Sequence, residues 1–228
     1  LRDNLLASKN YIFSSFAIDK EAIWPIWVWN YMPPSAGSII HPHVQILVEK
    51  EPVPQQAKLL ELSRKYFEAN RINYWVDLVE EERARGERFI FGNDLIFIMA
   101  SFAPRGFNEI QFIFKKSSLT DLNEKEIDEF AKNLTKILSG YKKIGVGSFN
   151  LLSYSGPLDK RLDYYSLHIK LFSRPYPKGV YTSDTGPMER GYGVWVIDTL
   201  PEELASRMRN AIKSKGLLWK NKCSRYCI

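Results

Sequence analysis

The chain has 228 residues, 45% of them hydrophobic and 14% aromatic, a composition that supports a packed core and excludes a disordered chain. Its 32 basic and 26 acidic residues leave a net charge of +6. Basic residues cluster only at Lys213, Lys215, Lys220, Lys222 and Arg225, which argues for a solvated tail and against nucleic acid as a partner. No apolar run approaches the ~18 residues needed to cross a bilayer and neither end has a signal-peptide pattern, so a cytoplasmic chain with no membrane partner is expected.

Residues 1–17 have helical patterning through Leu5, Leu6, Ile12, Phe13 and Phe16. The pattern opens without a cap, as a fragment of a longer protein would. The run 23–30, rich in Trp and branched residues, reads as a strand, and Pro33-Pro34-Ser35-Ala36-Gly37 as a loop and turn. Ser38 then stands at the mouth of a second strand, read from Ile39-Ile40 and from Val44 to Val48. From Pro54 to about Gly86 the spacing of Leu59, Leu60, Leu62, Tyr66 and Phe67 predicts one helix, ending in the charged run 80–85. Strands follow near 89–91, 95–102 and 109–115. Asn123, with Glu126 three residues on, predicts a capped helix start, and Ile127, Phe130, Ala131, Leu134, Ile137 and Leu138 continue it to about 140–145. Strands near 148–154 and 164–172 and a helix from Pro201 to about Lys213 complete the chain.

Neighbouring strands interrupted by long helices imply an α+β fold, an antiparallel sheet with helices packed on one face. A faint repeat (strand, turn, strand, helix, histidine-bearing strand) suggests two fused units, approximately 1–86 and 87–228, within one domain. The two cysteines, Cys223 and Cys227, stand too close to the chain end for a disulfide framework.

Chemistry concentrates in Ala36-Gly37-Ser38-Ile39-Ile40-His41-Pro42-His43-Val44-Gln45-Ile46, which holds two of the three histidines. On a strand, His41, His43 and Gln45 share a face. An imidazole serves there as nucleophile, proton carrier or metal ligand, and a neutral amide can donate to a phosphate oxygen. The trio suits phosphorus chemistry.

This run resembles the active-site motif of the galactose-1-phosphate uridylyltransferases, within the histidine-triad superfamily. Asn30, eleven residues before His41, matches a substrate-binding asparagine, and looser similarity runs over about 170 residues. The resemblance implies a histidine-triad-like half-barrel of two fused units and a homodimer. It implies His43 as the nucleophile that takes a nucleoside monophosphate from a nucleotide sugar and passes it to a sugar 1-phosphate. Gln45, Ser38 and Asn30 would bind substrate, and His41, His168 and Lys170 would support the site. No cofactor is required for the chemistry; His41 is the one candidate zinc ligand, where some relatives bind zinc with ligands that precede the matched region, so the ligand set is incomplete and an orienting or packing role is expected. Tyr154 and Lys170 replace two histidines of the family's second metal site. Gly191-Tyr192-Gly193 has a glycine where the family's hexose-binding glutamate stands, which leaves sugar, base and acceptor open. Two alternatives stay alongside: an ADP-sugar or dinucleoside polyphosphate phosphorylase using the same histidine, and a non-catalytic nucleotide-binding protein.

Overall fold

Seven antiparallel strands form one open sheet in the order β2-β1-β6-β7-β5-β4-β3, so strands from both ends of the chain meet at its middle. The strands are β1 Trp24–Tyr31, β2 Gln45–Glu49, β3 Phe89–Gly92, β4 Ile96–Ala100, β5 Phe107–Phe114, β6 Phe149–Tyr154 and β7 His168–Ser173. Among the described residues five α-helices accompany them: α1 Arg2–Ile18, α2 Pro54–Asn70, α3 Tyr74–Arg85, α4 Glu124–Lys143 and α5 Pro201–Lys213. This computed structural model describes residues 1–176 and 183–214; Cys223, Cys227 and the basic residues after Lys213 lie outside the described residues. No described helix is long and apolar enough to cross a membrane.

The α+β expectation holds, but the helices cover both faces of the sheet. Alternation along β4 shows why: Ile96, Ile98 and Ala100 join the main core, while Phe97 and Met99 turn the other way. The main core gathers Leu5 of α1, Phe130 and Ile137 of α4, and Leu204 and Met208 of α5 against Trp27, Phe112 and Ile169. On the opposite face Trp75 of α3 packs on Phe97, Met99 and Ile113. Both faces of the β4–β5 half are therefore closed, and β4 is apolar at all five positions, unlike a half-solvated strand.

α4 begins as its sequence predicts. Asn123 Oδ1 accepts from the Glu126 N–H at 2.9 Å and Glu126 Oε2 accepts from the Asn123 N–H at 2.9 Å. The single helix expected over 54–86 is two helices. Arg71 takes a left-handed conformation (φ 59°) that ends α2, and Asn73 then caps α3 by accepting from the Trp75 N–H at 2.9 Å. The last strand starts at His168, not 164, because Tyr165 and Leu167 enter the core from a turn.

Candidate active site

The segment between β1 and β2 folds tightly before it reaches the histidines. A 3₁₀ turn at Pro33–Ser35 ends with Ala36 at φ 65° and follows Met32 at φ 71°. Gly37 then lies so close to β1 that a Cβ there would stand 3.1 Å from the carbonyl oxygens of both Asn30 and Met32. Only glycine fits this approach without a shift. The turn thus holds Ser38, which is exposed, beside the end of β1.

The strand expected from Ile39 onward begins only at Gln45. Residues 38–44 are irregular, and Pro42, with no N–H to give a ladder, interrupts any pairing between the histidines. His41 and His43 therefore leave the chain from a loop and not from a common strand face. His41 is exposed and His43 half-buried. His43 Nδ1 lies 3.0 Å from the His41 carbonyl oxygen. A carbonyl only accepts, so Nδ1 carries a proton, and in the neutral ring the lone pair is then on Nε2. This is the tautomer a nitrogen nucleophile needs at Nε2.

Gln45 faces Val28 across the β1–β2 ladder, and Asn30 faces Asn150 across β1–β6. A chain of polar groups connects them. Arg174, just past β7, grips Asp184 with two bonds of 2.7 Å and donates from Nη1 to Asn150 Oδ1 at 3.1 Å. Asn150 Nδ2 donates to Asn30 Oδ1 at 2.6 Å and to the Ser35 carbonyl at 2.9 Å. Asn30 Nδ2 points at Gln45 Oε1 at 3.5 Å, the long limit of a hydrogen bond. A guanidinium can only donate, so Arg174 fixes the orientation of each amide in turn. The end of that chain is Gln45, whose Nε2 makes no hydrogen bond among the described residues. Among the described residues, Asn150, Arg174 and Asp184 are the members that sequence reasoning missed.

The other sites expected from sequence have different surroundings. His168 is fully buried, stacked between Trp75 at 3.9 Å and Tyr154 at 4.9 Å between ring centroids. Its Nδ1 lies 3.1 Å from the Ser166 carbonyl and its Nε2 has no partner. Burial lowers its pKa to about 3, and Lys170 adds in the same direction. His168 is a neutral core residue without access to a ligand. Lys170 donates to the buried Glu109 carboxylate at 2.8 Å. Lys170 and Tyr154 are the two residues that the family resemblance sets in place of second-site histidines. Around His41, as elsewhere among the described residues, no group of three or more His, Cys, Asp or Glu could share a metal ion.

No protein-family model matches the chain. An uncharacterized protein of Archaeoglobus fulgidus is 29% identical over 181 residues, 79% of this chain and 54% of its own. The chain thus spans about half the length of that curated relative. A solved uridylyltransferase superposes with a TM-score of 0.83 at 23% identity, covering 92% of this chain and 67% of its own. An ADP-glucose phosphorylase from Arabidopsis thaliana with bound ADP-glucose gives 0.76 at 21%, covering 92% and 66%. The resemblance read from residues 36–46 is borne out in the architecture: this chain has the uridylyltransferase fold.

Proposed function

We propose that the protein is a nucleotidyltransferase that works through a covalent nucleotidyl-histidine on His43. The observation that carries this reading is the pairing of two fixed orientations. His43 presents Nε2 with its lone pair, and the relay from Arg174 leaves the Gln45 amide N–H groups without a hydrogen bond among the described residues. His43 Nε2 attacks the α-phosphorus of a nucleotide sugar; a P–N bond forms, and the P–O bond to sugar 1-phosphate breaks with the electron pair leaving on oxygen. Positive charge that develops on the ring is met by the His41 carbonyl at Nδ1–H. Gln45 donates to a non-bridging oxygen, Ser38 to the distal phosphate, and Asn30 places the substrate. An oxygen of a second sugar 1-phosphate then attacks phosphorus, and the P–N electron pair returns to Nε2. The assembly is a homodimer in this reading, and zinc takes part in no step.

A second acceptor, inorganic phosphate, is favoured by one observation. Gly193 sits at φ 68°, a conformation that suits glycine, and Tyr192 beside it is 75% exposed. The segment matching the hexose-binding part of the motif thus carries no acidic side chain. The name of the ADP-glucose phosphorylase neighbour supports the same acceptor. The test is intact mass spectrometry after incubation with UDP-glucose or ADP-glucose. A gain of one nucleoside monophosphate, absent in His43→Ala, is expected and names the base. Adding phosphate or a sugar 1-phosphate to the adduct then names the acceptor. Measurable nucleotide binding without an adduct from either donor would overturn the reading in favour of a binding protein.

A further inference from the structure

On the same sheet face as Gln45, but away from it, lies a cleft of about 220 Å³ between α2, α3 and the strands. Its polar lining is one-sided: Lys58, Arg105 and Lys170 bring three cations, and none of its lining residues is acidic. Glu109 lies beneath the floor, buried. One of its oxygens accepts from Lys170 and the other from the Arg105 backbone N–H at 2.8 Å. That carboxylate balances one of the three charges and leaves two N–H groups of the Lys170 ammonium uncommitted. The side chains of Lys58 and Arg105 make no hydrogen bond or ion pair among the described residues.

Two more donors in the lining await a partner. Ser101 Oγ and Trp75 Nε1 are buried and unpaired, although both residues are at least nine-tenths buried. Buried donors are ordinarily paired, and these two stand beside three cations. Donors without acceptors beside excess positive charge match one ligand chemistry, a tetrahedral oxyanion. The walls add the rings of Tyr74 and Phe102, against which a small ring can lie. The volume falls below the ~300 Å³ at which drug-sized sites begin, so the occupant is small.

We infer that this cleft is a second anion site, which takes a phosphoryl group as free phosphate or as the phosphate of a small ester. It is separate from the motif. Gln45 faces Val28, Val28 faces Leu152, Leu152 faces Lys170, and Lys170 faces Gln111. Gln45 and Lys170 thus stand three strand spacings apart on one row, about 14 Å. The inference does not depend on His43 chemistry.

Calorimetric titration with inorganic phosphate, and separately with glucose 1-phosphate, tests it in the intact chain. Lys58→Gln with Arg105→Gln should weaken phosphate binding at least tenfold; both residues are exposed, so the fold, checked by circular dichroism, should stay. Gln45→Ala should leave this binding in place. Tighter binding of glucose 1-phosphate than of phosphate identifies an ester as occupant, and equal or weaker binding identifies the free anion. Absence of phosphate binding at millimolar concentration, equal affinity in the double variant, or loss of binding in Gln45→Ala would each overturn the inference.

Discussion

The two histidine-bearing regions hold the same side chain in opposite surroundings. His43 stands in an irregular loop, half-buried, with one nitrogen on a backbone carbonyl and the other without a hydrogen bond among the described residues. His168 makes the same local bond, to the carbonyl two residues before it, yet it is closed between Trp75 and Tyr154. The hydrogen bond therefore does not distinguish the two histidines. What differs is access: His43 is half-buried on a loop, whereas aromatic rings close over His168.

The largest effect expected from that contrast is on His43. His43→Ala should reduce nucleotidyl transfer at least about 10³-fold while thermal stability changes by less than about 0.5 kcal/mol, as for a side chain that carries no packing. A rate assay and a melting curve on one preparation check both halves, and a large drop in melting temperature would return His43 to a structural role. Asn150→Asp should follow. Its new carboxylate still pairs with Arg174 but cannot donate to Asn30 Oδ1, so the Asn30 amide is free to turn and occupy Gln45 differently. A fall in kcat of about tenfold is expected, smaller than the 10²–10³ of losing a charge-stabilising donor outright. Unchanged kcat would mean that Gln45 orients itself.

His168 should show its character through pH. Its pKa in the folded chain, about 3, is below the ordinary 6.5, so the unfolded state binds more protons between these values. Stability from this group is complete above about pH 6.5 and drains away as pH falls toward 3. His168→Phe keeps an aromatic ring between Trp75 and Tyr154 without the titration. On going from pH 7 to pH 4 the wild type should lose on the order of 3 kcal/mol more than the variant, read from denaturant midpoints. Parallel losses would show that His168 is not buried neutral.

How much of this was legible in the sequence depends on range. The Asn123/Glu126 cap and the apolar spacing of α4 are local, and both were read correctly. The break between α2 and α3 is local too, but its signal is faint: no Gly or Pro marks it, and only Asn70 and Asn73, residues suited to helix ends, flank Arg71. Pro42 was the clue that the histidines precede their strand. Asn150 was out of reach because it meets Asn30 across 120 residues of chain, and Arg174 because it joins only through Asn150, with no motif around either. One hint existed, an asparagine inside the apolar run 149–152, since asparagine is depleted in strands.

The smallest effect tests how the second histidine keeps its roof. Asn73 caps α3 at the Trp75 N–H and its Nδ2 donates to the Asp163 carbonyl at 2.9 Å, so one side chain ties the helix start to the turn before β7. Trp75, two residues on, is the ring that lies on His168. Asn73→Ala removes the cap and should cost about 1 kcal/mol in global stability, while Asn73→Asp, which keeps the capping oxygen, recovers most of it. Transfer by His43 should not change, because that site is built on β1, β2 and β6. If Asn73→Ala also slows transfer, the two regions are coupled through the sheet, and the separation of reactive from structural histidine is a property of the whole fold.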